Sequence, residues 1–458
     1  GDLAFMSIPE LARILRSGEI TSVDLTEFFI ARLKKYDPQL HCVVSLTEEY
    51  ALDYARKMDE ELAAGKDRGI LHGIPYGAKD LFAFPGYKTT WGAAPYKDQV
   101  IEEKAGIISK LEEAGAVLVA KTTLGALAMG DVWFADTTRN PWNLGEGSSG
   151  SSAGSASATA AGLLPFAIGT ETWGSIVSPS TRCGTTGLRP TYGRITRSGA
   201  MALSWTMDKV GPICRSAEDC AIVFDAIRGP DNTRKDVAGE SATRSLPDET
   251  VIDAGFSYES TVDLSALRIG YLKASFDQTY EGRENDLKTL RELKRLGAKL
   301  IPVELDNDQI PVYALSIILE AEAAAAFDEL TRSNRDTLMV RQNRNAWPNI
   351  FRSARYVTAV EYIQANRIRH ELIRDMNERM KDFDVIVTPS FNGGNQLLAT
   401  NLTGHPCVVV PNGFKENGSP TSISFLGNLF EEGKVLMVAK AYQDATEFNK
   451  LRPDLFDD

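Results

Sequence analysis

The sequence predicts the α/β fold class, with a central mixed, mostly parallel twisted sheet that helices cover on both faces. Short apolar runs that fit buried strands stand at residues 116–120, 267–272, 298–303, 384–387 and 407–410. A helix-like segment over 286–296 lies between two of these runs, and a strand–helix–strand order is typical of parallel sheets with helical covers. We therefore expect one large domain.

Helices are predicted at the N-terminal end of the chain. Residues 7–10 (SIPE) form a capping box with proline in the first turn, which marks a helix start. Residues 21–24 (TSVD) resemble a second start, and the helical spacing that follows is expected to stop at Asp37 and Pro38. Residues 45–65 predict a third helix, which ends at its terminal glycine.

Three later segments complete the layout. Residues 102–114 predict a helix before the first buried strand. Residues 229–265 are polar and lack apolar periodicity, so we expect a surface excursion inserted into the domain. Residues 331–352 are rich in Asn and Arg and predict a long loop or a broken helix, and long loops often line functional sites.

Composition and charge exclude several classes of function. The chain has 458 residues, of which 43% are apolar, and it lacks the run of about twenty apolar residues that a membrane helix needs. Its formal net charge of -12 argues against non-specific nucleic-acid binding, because acidic surfaces repel phosphates. Five scattered cysteines and four scattered histidines give neither a CxxC nor an HExxH pattern, so we expect buried free thiols and no metal site.

Residues 145–157 (GEGSSGSSAGSAS) form the most unusual stretch, and four interpretations compete for it. A flexible linker is disfavoured because the stretch leads directly into a helix-like segment at 158–164. A phosphate-binding loop needs Lys followed by Ser or Thr after its last Gly, and that pair does not follow. A nucleophile elbow centred on Ser152 matches G-x-S-x-G, but the preceding residues predict a turn and not the strand that this motif requires.

The fourth interpretation takes in three separated motifs. GIPYGAKD at 73–80 contains Lys79, the serine-rich stretch contains Ser151, and ETWGSI at 171–176 places Ser175 24 positions after Ser151. In order and spacing they resemble the GIPxxxKD, GGSSGGS and DTGGSI blocks of the amidase-signature family. Further blocks that resemble this family lie at 191–194, 208–212 and 401–406.

The residue types in these motifs suit acyl transfer. A serine hydroxyl is a weak nucleophile that needs a base within hydrogen-bond reach, and the three motifs contain no histidine. A lysine can serve if its pKa falls by ~3 units from ~10.4, which burial among uncharged groups favours. Lys79 follows an uncharged run. Asp80 would raise that pKa if it faced the same way, so we expect it to point elsewhere and to make structural hydrogen bonds.

The resemblance implies roles for individual residues. Lys79 would be the base, Ser151 the relay after a cis Gly150–Ser151 bond, and Ser175 the nucleophile. Ser152 would support the site through hydrogen bonds that orient Lys79 or Ser151. The oxyanion would be held by backbone N–H groups of the nucleophile turn, which belong to Thr172, Trp173, Gly174 and Ser175. The reaction needs no metal, nucleotide or organic cofactor, and the expected partner is a small-molecule amide-type substrate.

The chain departs from the family pattern around the nucleophile. Trp173 stands where the family has glycine, and a Trp with φ above zero would be strained, so either its backbone is ordinary or the turn is shifted. We expect its ring to wall one side of the acyl pocket and to set substrate shape. Glu171 replaces the usual Asp, Ser149 and Ala153 replace glycines, and residues 177–182 differ from the common sequence.

The leading prediction of function is an amidase that hydrolyses a linear amide-type carbon–nitrogen bond, other than a peptide bond, through a serine acyl-enzyme. Aryl amides, peptide amides and carbamates are the candidate substrates. The alternatives are a glutaminase subunit of a tRNA-dependent amidotransferase, a carbamate or ester hydrolase, and an inactive binding protein on the same scaffold. Residues 393–396 are neutral, which disfavours glutamine because its amino group needs an acidic partner. Retention of Lys79, Ser151 and Ser175 disfavours an inactive protein.

The expected layout is a single domain over 1–458, composed of N-terminal helices at 7–65, a catalytic core at 70–228, the polar insertion at 229–265 and a substrate-side part at 266–458. The start of the chain does not resemble a signal peptide, so we expect a cytoplasmic protein, with an exported form that has lost its signal as the alternative. The sequence is compatible with a homodimer, and neither nucleic acid nor a membrane is an expected partner.

Overall fold

The structure is a computed structural model that describes residues 2–231 and 251–457. The predicted polar insertion at 229–265 is therefore described only at its two ends, since 232–250 lie outside these ranges. The helices of the described residues are α1 (Asp2–Phe5), α2 (Ile8–Ser17), α3 (Ser22–Leu40), α4 (Glu48–Ala63), α5 (Gly106–Glu113), α6 (Ala153–Ala160), α7 (Val177–Cys183), α8 (Ala217–Ile227), α9 (Lys273–Phe276), α10 (Arg283–Arg295), α11 (Ile317–Ala326), α12 (Asp328–Arg332), α13 (Trp347–Ala354), α14 (Ala359–Met380), α15 (Gln396–Thr403) and α16 (Glu432–Thr446).

The strands lie in one large sheet and one short ribbon. They are β1 (Val43–Leu46), β2 (Pro75–Lys79), β3 (Val117–Thr122), β4 (Arg139–Asn140), β5 (Asn143–Gly147), β6 (Ala167–Glu171), β7 (Thr186–Arg189), β8 (Lys209–Cys214), β9 (Ile269–Tyr271), β10 (Leu300–Pro302), β11 (Val385–Pro389), β12 (Cys407–Phe414) and β13 (Pro420–Gly427). The 11-stranded sheet has the order β1-β3-β2-β6-β8-β7-β12-β13-β11-β9-β10, and β4 pairs with β5.

Both strand directions occur in the large sheet. Parallel pairs join β2 to β3 and β6 on one flank and β9 to β10 and β11 on the other. The remaining pairs within the described ranges are antiparallel, six of them against four parallel ones. The single α/β domain with a mixed sheet is confirmed, but the expectation of a mostly parallel sheet is wrong. A buried apolar run looks alike in a parallel strand and in a buried antiparallel one, so the apolar pattern alone did not indicate strand direction.

Helices cover both faces of the sheet, as predicted. Neighbouring residues of a strand point to opposite faces. In β8, Ile213 belongs to a cluster with Ala156 of α6 and Cys183 of α7, whereas Cys214 belongs to the main core cluster together with Ala217 of α8. The two helix pairs α6/α7 and α8/α16 therefore pack on opposite sides of the strands that surround the candidate site.

The predicted N-terminal helices differ from the structure at two boundaries. Helix α3 continues past Asp37 and Pro38 to Leu40, because a proline in the last turn removes only one N–H and the Asp37 carboxylate accepts the N–H groups of Cys42 and Val43 just beyond the helix. The predicted helix at 45–65 starts as β1, which pairs with β3, and only then becomes α4.

Other expectations of the sequence agree with the structure. All five cysteines are buried and free. The segment 331–352 is broken as predicted, with a short 3-10 helix at Arg335–Leu338 and with α13 starting at Trp347, followed by proline in its first turn. No helix that the structure describes combines the length and the apolar character needed to cross a membrane.

Candidate active site

The candidate site lies where β2 and β6 end. These strands are parallel neighbours, so their carboxyl ends meet at the same edge of the sheet. Lys79 is the last residue of β2, and Glu171 is the last residue of β6. The turn after Glu171 carries Ser175 and leads into α7. The fold thus brings the predicted base and the predicted nucleophile to one place from residues about a hundred positions apart.

The Lys79 amine lies in a cage of hydroxyl groups. Its Nζ is 2.8 Å from Ser151 Oγ, 3.0 Å from Ser152 Oγ and 2.8 Å from Thr170 Oγ1. Ser152 donates its hydroxyl proton to the Thr170 carbonyl and accepts from the Thr170 N–H, so toward Lys79 it can only accept. Ser152 therefore offers the amine a fixed acceptor, and its supporting role stays a prediction.

Burial shifts the protonation of this amine. Lys79 has no exposed surface. Burial lowers the pKa of its amine to about 7, although the negative charges of Asp208 and Glu171 act in the opposite direction. An amine with this pKa is substantially neutral near pH 7 and can accept a proton. The shift matches the direction that the uncharged sequence before Lys79 predicts.

Asp80 makes structural interactions, as predicted. One carboxylate oxygen accepts a hydrogen bond from Lys121 Nζ at 2.7 Å, and the other accepts the N–H and the hydroxyl of Thr90. Both ions of the Asp80–Lys121 pair are completely buried. Asp80 is thus neutralised by another lysine and is not among the groups that raise the pKa of Lys79.

The serine-rich stretch holds Ser151 in an unusual backbone. The Gly150–Ser151 peptide is cis, which confirms the expectation drawn from the resemblance. Gly150 is required sterically, because a Cβ at this position would lie 1.9 Å from the Gly130 carbonyl oxygen. The next residue, Ser152, donates its N–H to the Ser175 carbonyl at 3.2 Å, which ties the serine-rich stretch to the nucleophile turn.

The nucleophile turn presents a run of backbone N–H groups. Within 2–231 and 251–457, no protein acceptor takes the N–H groups of Thr172, Trp173, Gly174 or Ser175. Ser175 itself is 8% exposed, so its hydroxyl lies at a recessed but reachable position. In the described part of the chain, no hydrogen bond joins the Ser151 and Ser175 hydroxyls. Catalytic hydrogen bonds in ligand-free sites are often long and tighten when substrate binds.

Glu171 organises the turn from beneath. One carboxylate oxygen accepts the N–H groups of Ile176 and Val177, both at 2.9 Å. The other accepts from Arg189 at 2.9 Å and from Asn401 at 2.8 Å. Burial alone would raise the pKa of Glu171, but Arg189 and these donors lower it to about 2. The ionised carboxylate therefore fixes the start of α7, and the donors before it stay available.

Asp208 fixes the other side of the turn. Its carboxylate accepts the Thr172 hydroxyl at 2.6 Å and the N–H groups of Leu203 and Ser204. Burial raises the pKa of Asp208 above its usual range, although Thr172 and Arg197 act against that rise. The turn is thus held at Thr172 by one carboxylate and at Ile176 by another.

Trp173 has an ordinary backbone, which settles the two alternatives left by the sequence. The left-handed conformation of the turn falls on Gly174, with φ 85, and not on Trp173. The Trp173 side chain points outward and is 37% exposed. The glycine that is essential for the turn is therefore retained, and a bulky ring is accommodated beside it.

Sequence reasoning missed the roles of four contributors to the site. Thr170 was not singled out, although its hydroxyl contacts Lys79. Glu171 was noted only as a departure from the family pattern, and Asp208 only as part of a motif. Asn401 lies in the part at 266–458 that is expected on the substrate side, whereas its side chain is buried and donates to Glu171. A strand predicted over 167–171 would have been the signal for Thr170, because it places this hydroxyl next to the nucleophile turn.

Comparisons with known proteins agree with this geometry. Two A subunits of glutamyl-tRNA(Gln) amidotransferases are each 32% identical to this chain. The match to the subunit of Marinomonas sp. (strain MWYL1) covers 98% of both chains. The match to the subunit of Coxiella burnetii (strain Dugway 5J108-111) covers 98% of this chain and 99% of the relative. The native peptide amidase from Stenotrophomonas maltophilia superimposes with a TM-score of 0.82 at 28% identity and covers 99% of each chain. A family model described as Amidase matches residues 24–396. The chain therefore belongs to the amidase family, the amidase-signature hydrolases whose motifs its sequence resembles.

Proposed function

We propose that this protein hydrolyses an amide-type carbon–nitrogen bond through an acyl-enzyme on Ser175, with Lys79 as the base and Ser151 as the relay. The observation that carries the proposal is the buried Lys79 amine, which lies 2.8 Å from the Ser151 hydroxyl and whose pKa burial lowers to about 7. Lysines are rarely buried without a pairing charge, and buried titratable groups with shifted pKa values concentrate at functional sites.

The hydroxyl cage suits a base that gains and loses one proton. A neutral amine can donate to Ser152 and Thr170 and accept from Ser151 with its lone pair. Once protonated, the amine donates to all three oxygens without moving. Ser151 passes on the proton that it takes from Ser175 once substrate binding brings the two hydroxyls together, and the Lys79 side of the relay is already in place.

The nucleophile turn supplies electrostatic stabilisation. Attack by Ser175 on the substrate carbonyl places negative charge on the carbonyl oxygen, and the unused N–H groups of the turn can donate to it. The proton on Lys79 returns through Ser151 to the leaving nitrogen. Water then hydrolyses the ester on Ser175 by the same route, which regenerates the free serine.

Covalent labelling tests the nucleophile directly. An alkyl fluorophosphonate is expected to label wild type and Ser178→Ala at Ser175 and to leave Ser175→Ala unlabelled. Ser178 is the matched control because it lies one turn further along and its hydroxyl contacts Ser149. Ammonia release from primary amides is expected to fall by about 10^3-fold or more in Ser175→Ala. Equal labelling or equal turnover of Ser175→Ala and wild type contradicts the proposal.

Ammonia release from glutamine for a partner subunit is the second candidate function. The similarity to the A subunits of glutamyl-tRNA(Gln) amidotransferases along almost the whole chain favours it over a stand-alone amidase. A glutaminase of this kind should release ammonia from free glutamine with a kcat/KM above that for simple aliphatic amides. A protein that hydrolyses simple amides but leaves glutamine intact acts as a stand-alone amidase.

A further inference from the structure

A second aromatic ring meets Trp173 beside the candidate active site. Tyr313 lies in a short 3-10 helix, Val312–Ser316, and its ring centroid is 6.3 Å from that of Trp173, with an angle of 71° between the ring planes. Aromatic pairs prefer this edge-to-face arrangement. The two residues are far apart in the sequence, so the pair exists only in the folded chain.

Both rings remain exposed next to buried neighbours. Trp173 is 37% exposed and Tyr313 is 71% exposed, whereas Ser175 is 8% exposed. An exposed Trp–Tyr pair leaves apolar area in contact with water that a purely structural role would bury. Small-molecule sites are lined predominantly by hydrophobic and aromatic side chains, so exposed rings beside a recessed reactive group suit a ligand with an apolar part that can lie against them.

Leu397 adds apolar surface on another side of the same turn. Its Cδ2 lies 3.6 Å from the position that a Cβ would take on Gly174. Since Leu397 belongs to α15, three separate segments bring apolar side chains to the residues directly before Ser175. The two carboxylates that contact the turn are both used internally, because Glu171 is paired with Arg189 and Asp208 accepts the Thr172 hydroxyl and two backbone N–H groups. The outer surface of the turn therefore suits an apolar group better than a charged one.

We propose that Trp173 and Tyr313 form a two-ring wall that selects substrates with a flat apolar group, such as a phenyl ring, next to the scissile carbon–nitrogen bond. Tyr313 is then a specificity-determining residue for the reaction proposed above, on which this inference rests. The wall contacts the substrate beside its reacting atoms and takes no part in proton transfer.

Selectivity between ring-bearing and ring-free amides tests the wall. The probes are acetanilide, with its ring on the leaving amine, 2-phenylacetamide, with its ring on the acyl group, and acetamide. In Tyr313→Ala, the ratio of kcat/KM for the better ring-bearing amide to that for acetamide is expected to fall about three- to tenfold, the range for loss of one aromatic contact. Tyr313→Leu keeps part of the apolar surface and should lose less. Tyr356→Ala, which removes an 86% exposed ring between α13 and α14, is the matched control and leaves the ratio unchanged.

A double-mutant cycle shows whether the two rings act together. If they form one wall, the Tyr313→Ala substitution lowers the ratio less in a Trp173→Ala background than in wild type. An unchanged ratio in both Tyr313→Ala and Tyr313→Leu overturns the proposal. Equal losses for ring-bearing and ring-free amides also overturn it, because they indicate general damage to the site.

Labelling of Ser175 keeps this test separate from that of the proposed function. A wild-type protein that reacts with the fluorophosphonate and hydrolyses acetamide or glutamine, but shows no preference that depends on Tyr313, overturns the wall alone. A wild-type protein that is neither labelled nor active on any of these amides overturns the proposed function itself.

Discussion

Replacing Lys79 with methionine is expected to stabilise the protein while abolishing its activity. The pKa of this amine is 10.5 in an unfolded chain and about 7 in the folded protein, because the folded protein buries it. Each pKa unit corresponds to about 1.4 kcal/mol, so burying this amine costs the folded state roughly 5 kcal/mol at pH 7 and below. Methionine has a similar length and carries no charge, so it avoids this cost.

The hydrogen bonds of the amine offset part of the gain. Lys79 contacts Ser151, Ser152 and Thr170, and the loss of three hydrogen bonds at about 1 kcal/mol each leaves a net stabilisation of roughly 2 kcal/mol at pH 7. Between about pH 7 and 10.5 the unfolded chain binds a proton that the folded wild type lacks. Rising pH therefore stabilises wild type relative to the variant, by at most about 1.4 kcal/mol per pH unit. The advantage of Lys79→Met should disappear between roughly pH 8 and 9 on these magnitudes.

Equilibrium unfolding in urea at pH 7, 8 and 9 measures this difference from the midpoints, provided that the slopes of the two proteins agree. Lys121→Met is the matched control. It also removes a completely buried lysine, but it leaves the buried Asp80 carboxylate without its counter-charge. That control should destabilise the protein by about 3 kcal/mol or more. A free-energy difference between Lys79→Met and wild type that stays the same from pH 7 to pH 9 refutes the argument that a desolvated amine is held at position 79.

Three further predictions follow from the contacts of the site. The rate of amide hydrolysis should rise with pH through a midpoint near the Lys79 pKa of about 7 and level off above it, since only the neutral amine accepts a proton. A rate that stays constant from pH 6 to 8 contradicts this prediction. Thr170→Val keeps the side-chain shape but removes a hydrogen-bond acceptor that lies 2.8 Å from the Lys79 amine. The lost contact stabilises the charged amine more than the neutral one, so the midpoint of the pH–rate profile should move to lower pH, and kcat should fall. Glu171→Gln should lower the free energy of unfolding by about 3 kcal/mol or more in urea titrations, because it leaves the buried Arg189 without its counter-charge. The same substitution at Glu292, which pairs with the exposed Arg295, should change the free energy of unfolding by less than about 0.5 kcal/mol.

The sequence was most informative where chemistry restricts the choice of residue. Taken singly, Lys79, Ser151 and Ser175 each have an ordinary structural explanation, and it was their order and spacing, which resemble the amidase-signature blocks, that selected them. The fold brings Lys79, Ser151 and the Ser175 turn together. The conformation of the turn was left open by the sequence, and the structure places its left-handed residue at Gly174, where a glycine adopts it without strain.

The sequence was less informative where partners come from distant segments. Nothing local indicates that Asn401 donates to Glu171 or that Tyr313 meets Trp173, since each contact depends on how separate elements pack. Strand direction was missed for a similar reason. An apolar run such as β12 records that a strand is buried, but its antiparallel pairing with β13 is decided by the short connection between them. The signal for this pairing is the Asn417–Gly418 pair in that connection, which an apolar pattern does not capture.

The direction of individual strands nevertheless explains why the site forms where it does. Because β2 and β6 are parallel, the lysine at the end of one reaches the turn at the end of the other. Because β8 is antiparallel to β6, its first residues pair with the last of β6, which puts Asp208 beside Thr172 on the nucleophile turn. A fully parallel sheet would carry the start of β8 to the opposite edge and leave Thr172 without its anchor. The mixed sheet is thus a requirement of the site, because one strand end supplies the proposed base, a second supplies the turn, and a strand beginning holds that turn in place.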